Sequence, residues 1–204
     1  MNIEIIKLTP DLAEDYVHFF DVTPHDDNVD ENKCYCVCWS NEDYKKKDLS
    51  TAENRRECAY EYVRGNNVQG YLAYHGDRVV GWCNANTKSD CLKCASWQRF
   101  MDYVPLEEPG SDVKVKSIFC FMIAPDMKRQ GIATQLLERA CKDAAQDGFD
   151  VIEVYPYKKS SYQSSDFGGH FELYQKMGFY VFAEAEQGLV MRKQLKLCRS
   201  KQVI

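Results

Sequence analysis

The residues with the clearest chemical potential form one short basic turn. Lys128 and Arg129 are followed by Gln130 and Gly131, and an apolar run ends at Pro125 just before them. Glycine lets the backbone approach a ligand closely. The first turn of a helix has N–H groups without partners and carries partial positive charge. Two cations beside a helix start therefore predict an anion site, and a diphosphate is the natural ligand for it.

The elements around this turn have the pattern of a strand, a helix and a second strand. We predict strands at residues 114–124 and 150–155 and a helix at 131–147 that Gly148 terminates. The helix has a face of apolar residues at helical spacing. These are Ile132, Leu136, Leu137, Ala140, Cys141 and Ala144. Such a unit predicts two neighbouring parallel strands with the helix packed across them in a right-handed crossover.

The turn and the helix start resemble motif A of the GNAT superfamily of acetyl-CoA-dependent N-acetyltransferases. That motif has Arg or Gln, then Gly three positions later, and then Gly or Ala two positions after that glycine. Residues 128–133 read Lys-Arg-Gln-Gly-Ile-Ala, so Lys128 keeps the charge and lacks the planar fork of arginine. Residues 171–179, with Leu-Tyr and a terminal Lys-Met-Gly-Phe, resemble the second signature of the superfamily. The resemblance runs from about residue 3 to residue 191 and is loose outside the two motifs.

The resemblance implies acetyl-CoA as the acetyl donor, with its pyrophosphate on the basic turn. It also implies that the two parallel strands splay apart and that the pantetheine arm enters between them. The arm would then bond the backbone of the first strand as an added strand does. The residues implied in acetyl-CoA binding are Phe121, Met122, Ile123, Lys128, Arg129, Gln130, Gly131, Ile132, Ala133 and Thr134.

The catalytic residue implied by the resemblance is Tyr174, which in many relatives lies beside the cofactor sulfur. A phenol with a pKa of about 10 is protonated at neutral pH and can donate a proton. The alternative is a tyrosine packed on its helix with the hydroxyl bonded nearby. Relatives often carry Asn at the position of Phe167, so this contact to the cofactor is missing. The general base is not identified, and Glu153 and His170 are the two candidates considered.

The acceptor side is expected in residues 21–50, which we predict to be a long loop with a helical piece. Tyr35 and Trp39 are the candidates for lining the acceptor pocket, and core or lid packing is the alternative. The start of the stretch is acidic, either as a solvated loop or as a negative surface that attracts a cationic amine. Its acidic residues are Asp21, Asp26, Asp27, Asp30 and Glu31.

Composition limits the kinds of protein that this chain can be. It has 204 residues, of which 45% are hydrophobic, and a net charge of −5. We expect one domain over residues 1–196 and a frayed tail at 197–204. The negative charge argues against nonspecific nucleic-acid binding. No run crosses a bilayer and no signal peptide is visible, so we expect neither nucleic acid nor membrane as a partner, and a cytoplasmic location.

The chain contains many cysteines, which we expect to be reduced thiols. Their positions are 34, 36, 38, 58, 83, 91, 94, 120, 141 and 198. The Cys34-x-Cys-x-Cys38 and Cys91-x-x-Cys94 spacings together allow a thiolate zinc site. The first spacing is more typical of a strand or loop than of a zinc knuckle, so we predict no metal site.

The predicted fold is mixed α/β (α+β), the GNAT fold, with a mostly antiparallel central sheet of about seven strands flanked by helices and one parallel, splayed strand pair. The other elements predicted are a strand at 3–8, helices at 10–20 and 51–64, a hairpin of 69–75 and 78–86 with a bulge at Gly81, a short helix within 89–103, a helix at 167–177 and strands at 179–185 and 188–193.

The leading functional interpretation is transfer of acetyl from acetyl-CoA to a primary amine of a small, cationic molecule by direct attack in a ternary complex. A protein N-terminus or lysine as acceptor is the first alternative, and it predicts an open groove. A non-catalytic acyl-CoA-sensing or zinc-binding module is the alternative from another class. The sequence identifies neither the amine nor the oligomeric state, and because many relatives dimerise, a homodimer is among the expected assemblies.

Overall fold

The computed structural model describes residues 2–25, 28–40, 47–105, 112–157 and 167–195. The predictions made for Asp26, Asp27, Cys198 and the tail at 197–204 lie outside the described residues. For the same reason the limits of the predicted domain remain a proposal.

One mixed sheet runs through the described residues. Its strands are β1 (Glu4–Lys7), β2 (Gly70–His75), β3 (Arg78–Thr87), β4 (Val115–Ile123), β5 (Val151–Val154), β6 (Tyr180–Glu184) and β7 (Leu189–Gln194). They lie in the order β1-β2-β3-β4-β5-β7-β6. The pair β4 and β5 is parallel, and every other neighbouring pair is antiparallel. The predicted mixed sheet with one parallel pair is therefore confirmed.

Helices cover both faces of this sheet. They are α1 (Ala13–Val22), α2 (Ala52–Arg64), α3 (Lys88–Cys91), α4 (Ala95–Phe100), α5 (Ile132–Gln146) and α6 (Phe171–Lys176). Trp82 of β3 contacts Tyr16 of α1, and their ring centroids are 4.9 Å apart. The adjacent Gly81 lies against Ile132 of α5. Because successive strand residues point to opposite faces, α1 and α5 lie on opposite sides of the sheet.

The helix boundaries follow from capping and glycine geometry. The Thr51 hydroxyl accepts a hydrogen bond from the Asn54 N–H at 3.1 Å, which caps α2 as predicted. Gly148 has a φ of +78° and ends α5. The predicted helix at 167–177 begins only at Phe171, because Gly169 has a φ of +81° and cannot continue a right-handed helix. The predicted buried face of α5 is confirmed except at Cys141, which is half-buried.

A bulge in β3 confirms the irregularity predicted at Gly81. Val80 is an extra residue between Gly81 and Val79, which pair with adjacent residues of β2. A Cβ atom on Gly81 would lie 2.9 Å from Ile123 Cδ1 and 3.1 Å from Ile132 Cγ2. The missing side chain therefore lets α5 pack closely on the sheet.

A second bulge, in β4, was not predicted. Asn84 and Ala85 are adjacent in β3, yet they pair with Cys120 and Ile118, so Phe119 is an extra residue in β4. A bulge bends its strand and ends regular pairing. The parallel pairing of β4 with β5 covers Val115 to Ile118 and stops at this residue. Beyond Phe119 the two strands separate, as the predicted splay requires.

Buried charges join the paired halves of β4, β5 and β7. The Glu153 carboxylate accepts a hydrogen bond from Arg192 Nε at 2.6 Å and lies 3.0 Å from Lys88 Nζ. It also accepts a hydrogen bond from the Tyr155 hydroxyl at 2.6 Å. The Tyr155 hydroxyl has one proton, so Ser117 Oγ donates to it in turn. All five side chains are buried, and buried charges persist only when they are paired and hydrogen-bonded.

This network predicts a large stability loss for Glu153→Gln. The substitution removes the negative charge and leaves the Lys88 and Arg192 charges buried, which should lower the free energy of unfolding by about 3–5 kcal/mol in urea denaturation. The control is Asp147→Asn, which breaks an exposed pair with Lys7 at 3.4 Å and should cost less than about 1 kcal/mol. Equally small decreases in the free energy of unfolding in the two variants would show that the network does not contribute the proposed stability.

Candidate active site

The basic turn adopts the backbone geometry that an anion cradle needs. β4 ends at Ile123, one turn of 3-10 helix covers Pro125–Met127, and α5 then begins at Ile132. Arg129 has a φ of +66° and Gly131 one of +79°. A left-handed arginine costs free energy and is typical of functional sites. Gly131 occupies the N-cap position of α5 without a capping side chain, so the first N–H groups of the helix are directed at the space in front of it.

A cleft of about 630 Å³ opens in front of this turn. One wall is the end of β4, the floor is the turn with the first residues of α5, and the other wall is the segment 167–173. Its lining residues are Pro24, Phe121, Met122, Ile123, Pro125, Met127, Lys128, Arg129, Gly131, Ile132, Ala133, Thr134, Phe167, Gly169, His170 and Leu173. The structure thus brings together all the residues predicted to bind acetyl-CoA except Gln130. The Gln130 amide instead donates to the Asp126 carbonyl at 3.2 Å.

Strand alternation decides which backbone groups of β4 face the cleft. The Ala124 N–H donates to the Val80 carbonyl at 2.9 Å. In an antiparallel pair every second residue bonds the partner strand, so the backbone of Met122 is directed at β3. The N–H and C=O groups of Phe121 and Ile123 are directed away from β3, at the gap between β4 and β5. Of the three residues predicted to bond the pantetheine arm, Met122 therefore offers its side chain and not its backbone.

One of these two positions already has a backbone partner. The Phe121 N–H donates to the Phe167 carbonyl at 2.8 Å. Phe167 thus takes the place of one residue of an added strand, at the position where relatives often carry Asn. A ligand that accepts a hydrogen bond from the Phe121 N–H has to displace this carbonyl. Sequence patterns alone could not reveal this contact, since it joins residues far apart in the chain.

Tyr174 lies directly behind the wall of the cleft. Its side chain is fully buried, and the hydroxyl donates to the Gly168 carbonyl at 2.6 Å. A Cβ atom on Gly169 would lie 2.5 Å from that hydroxyl, so only glycine fits between Tyr174 and the cleft. The hydroxyl is therefore one residue layer away from the space where a cofactor would lie. Its role as general acid stays a prediction.

Trp39 lies next to the bulge of β4. Its ring centroid is 5.1 Å from that of Phe119 and 6.1 Å from that of Phe100. Trp97 also contacts Phe119, at 5.8 Å. The Trp97 Nε1 group is buried and has no hydrogen-bond partner in the described part of the chain. These four residues, Trp39, Trp97, Phe100 and Phe119, form an aromatic surface where β4 leaves β5.

Tyr35 has a different environment from Trp39. Its side chain is buried, its ring lies 5.5 Å from the Phe20 ring, and its hydroxyl donates to Asp21 Oδ1 at 2.9 Å. Burial and the hydrogen bond to Asp21 raise the pKa of the Tyr35 hydroxyl. Tyr35 thus packs in the interior, which matches the alternative considered for it, and its role in acceptor binding stays a prediction.

The acidic stretch is tied to neighbouring groups where the structure describes it. Asp21 accepts two hydrogen bonds from Arg56 Nε, both at 2.9 Å, and Asp30 lies 2.9 Å from Lys33 Nζ. Glu31 accepts the Ala52 N–H at 2.9 Å, at the start of α2. Asp21 and Glu31 therefore hold the loop against α2, whereas the pair of Asp30 and Lys33 lies within the loop.

The described cysteines are free thiols. Hydrogen bonds to neighbouring thiols, together with burial, raise the pKa values of Cys34 and Cys36 well above that of an exposed thiol. Burial does the same for the pKa of Cys83. Within the described ranges, no three His, Cys, Asp or Glu side chains are grouped as a metal site requires. Nor does any described helix have the length and apolarity of a membrane-spanning segment.

The two base candidates are placed very differently. Glu153 belongs to the buried network with Lys88 and Arg192. His170 is exposed and lines the cleft at the start of α6. The wall residues Leu173, Met127 and Pro24 were not predicted, because they come from three separate segments and carry no motif.

Comparisons with known proteins agree with this geometry. A family model described as "Acetyltransferase (GNAT) family" matches residues 32–179, which is most of the chain. No curated protein is significantly similar in sequence.

Solved structures with the same fold cover nearly the whole chain. The PaiA N-acetyltransferase from Thermoplasma acidophilum, in complex with coenzyme A, is 15% identical with a TM-score of 0.54, over 95% of this chain and 99% of that chain. An uncharacterized protein from Bacillus halodurans is 13% identical with a TM-score of 0.58, over 96% and 85%. A ribosomal-protein alanine N-acetyltransferase from Escherichia coli is 10% identical with a TM-score of 0.51, over 100% of both chains. At these identities the likeness is one of fold.

The cleft predicts a selective effect of Gly131→Asp. A Cβ atom there would meet no protein atom within 4 Å, so the carboxylate would occupy the cleft beside the helix start and repel a phosphate group. Calorimetry should show at least a 100-fold loss of coenzyme A affinity, on the order of 3 kcal/mol.

The matched control is Gly148→Asp. Gly148 has a φ of +78° and equally open surroundings, but it lies at the other end of α5. The melting temperatures of both variants should fall by similar amounts, because each substitution puts a side chain on a left-handed residue. The control should retain coenzyme A binding. Normal affinity in Gly131→Asp would contradict the cradle.

Proposed function

This chain belongs to the GNAT family of acetyltransferases, which transfer an acyl group from coenzyme A to an amine, and we propose that its acceptor is a primary amine of a small, cationic molecule. Acetyl-CoA is the acetyl donor. The observation that carries the proposal is the contact of Trp39 with Phe119, because it places an aromatic surface where β4 and β5 separate.

In the proposed complex, the diphosphate lies at the start of α5. Lys128 and Arg129 supply the charges, and the N–H groups of residues 132–134 supply hydrogen bonds. The pantetheine arm follows β4, where Ile123 and Phe121 direct backbone groups at the gap. The Phe167 carbonyl leaves the Phe121 N–H when the arm binds, so donor binding moves the segment that precedes α6.

The reaction proposed is direct attack in a ternary complex. The neutral amine nitrogen forms a bond to the thioester carbonyl carbon, the C–S bond breaks, and the coenzyme A thiolate leaves. The nitrogen then loses its extra proton to solvent water, which leaves a neutral amide. Holding both reactants in one site can supply about 7 kcal/mol or more of the barrier reduction. Tyr174 is the proposed proton donor to the thiolate, and donation requires its hydroxyl to release the Gly168 carbonyl. A movement of the segment 167–170 on donor binding would permit this.

The aromatic surface supports a cationic acceptor. The faces of Trp and Phe rings attract cations, at about 0.5–2 kcal/mol per contact. Trp39 is half-buried and Phe100 is 55% exposed, so both offer ring surface to a ligand. A polyamine or an amino sugar carries the cation that such a surface fits.

The proton-donor role predicts the kinetics of Tyr174→Phe. Release of free coenzyme A thiol should show kcat reduced about 10²-fold or more, with KM for acetyl-CoA changed much less, because the hydroxyl acts on the leaving group. Tyr74→Phe is the control, since the Tyr74 hydroxyl also makes a 2.7 Å hydrogen bond, to Asp15, and Tyr74 lies on β2, away from the cleft. Unchanged turnover in Tyr174→Phe would rule out Tyr174 as the proton donor. It would not bear on the proposed acetyl-CoA binding site.

The acceptor proposal predicts the outcome of a screen and of Trp39→Ala. Polyamines, amino sugars and amino acids form one arm, and peptides with a free N-terminus or lysine form the other. We expect turnover in the first arm, and Trp39→Ala should raise KM for the amine about 10-fold without changing KM for acetyl-CoA. Turnover with peptides alone would overturn the small-molecule acceptor and favour the protein acceptor.

A further inference from the structure

Lys116 is a buried lysine that has no carboxylate partner among the described residues. It lies in β4, at the end opposite the cleft, and it is 7% exposed. Its Nζ donates to Gln69 Oε1 at 3.2 Å and lies 5.1 Å above the Phe149 ring. Among the described residues no carboxylate forms an ion pair with it, although buried ammonium groups normally have one.

The charge of Lys116 is consequently disfavoured. Burial, together with the positive charge of Lys7, lowers the pKa of Lys116 to about 8, although Asp147, Cys91 and Cys83 act in the opposite direction. The folded-state pKa lies below that of an exposed lysine. The contribution of the neutral Lys116 side chain to the free energy of unfolding is therefore complete above the pKa of the unfolded chain. It is lost as the pH falls through about 8. At neutral pH the protein holds a buried cation at a cost.

The side chain faces a small cavity. Its volume is about 190 Å³, and its polar lining comes from Lys116, Lys7, Asn66, Gln69 and Tyr71. The lining thus includes two side chains with ammonium groups and two with carboxamides, and all four can donate hydrogen bonds. Lys7 has its own partner, Asp147, but that pair is 3.4 Å long and about half exposed. No carboxylate lines the cavity among the described residues.

We propose that this cavity binds a small oxyanion, with the buried Lys116 ammonium as its central contact. An anion there would supply the missing counter-charge and the acceptors for the remaining N–H groups of Lys116. The volume suits an ion of the size of phosphate or a short carboxylate. The site is separate from the acetyl-CoA cleft, whose β4 lining begins only at Phe121. It therefore gives the enzyme a second place at which an anion affects the fold.

The first experiment measures the melting temperature at pH 7 in sodium phosphate, sodium acetate and sodium chloride of equal ionic strength. At least one of the two oxyanions should raise the melting temperature by about 2 °C or more over chloride. Response to phosphate alone, to acetate alone or to both supports the site and identifies its chemistry. No response to either overturns the proposal.

Lys116→Met separates this site from the basic turn, which also attracts phosphate. Methionine has a similar length and no charge, so this variant should melt higher than the natural protein in chloride and should lose the response to oxyanions. Lys114→Met, an exposed lysine two residues away, is the control and should keep the response. A full response in Lys116→Met contradicts the proposal.

The pH dependence provides a test that needs no variant. The oxyanion response of the natural protein should be largest near pH 7 and should disappear by about pH 9.5, because Lys116 loses its proton over this range. A response of constant size across the range contradicts the central role of Lys116. Coenzyme A binding, measured alongside, should be unaffected by Lys116→Met, so failure of this site leaves the acetyl-CoA cleft standing.

Discussion

The extra residue in β4 is the constraint on which the rest of the structure depends. Phe119 interrupts a strand that pairs with β3 on one side and with β5 on the other. The pairing with β3 continues past it, whereas the pairing with β5 ends. Because β4 is no longer paired with β5 beyond this point, the cleft can form beside residues 121–123. The anion cradle at the start of α5 lies at one end of that cleft, and the aromatic surface around Trp39 lies at the bulge itself.

The buried charge network lies where β4 and β5 are still paired, just before the point at which their pairing ends. Glu153, Arg192 and Lys88 join β5, β7 and α3 where the strands are still paired, and Ser117 connects β4 to them through Tyr155. A parallel pair of four residues would be a weak joint by itself. Ionic and hydrogen-bonded contacts therefore hold the strands together before the bulge, whereas after it the Phe121 N–H donates to the Phe167 carbonyl and not to β5.

Sequence reasoning succeeded where the determinants are local. The strand, turn and helix around Gly131 follow from hydrophobic spacing and one glycine, and the structure places nearly all of the predicted cofactor residues around a single cleft. It failed where the determinant is a partner far away in the chain. The bulge at Phe119 depends on the register with β3, the bond from Phe121 depends on the position of Phe167, and the lowered pKa of Lys116 depends on its burial. Tyr35 and Trp39 looked alike in sequence, yet packing buries one beside Asp21 and leaves the other at the bulge.

The most direct test of the central claim is a crystal structure of the protein with coenzyme A. The account predicts the diphosphate within hydrogen-bond distance of the N–H groups at the start of α5, the pantetheine arm in the gap that opens beyond Phe119, and the Phe167 carbonyl displaced from the Phe121 N–H. Coenzyme A bound at another surface, with the bond from Phe121 to Phe167 intact, would contradict it.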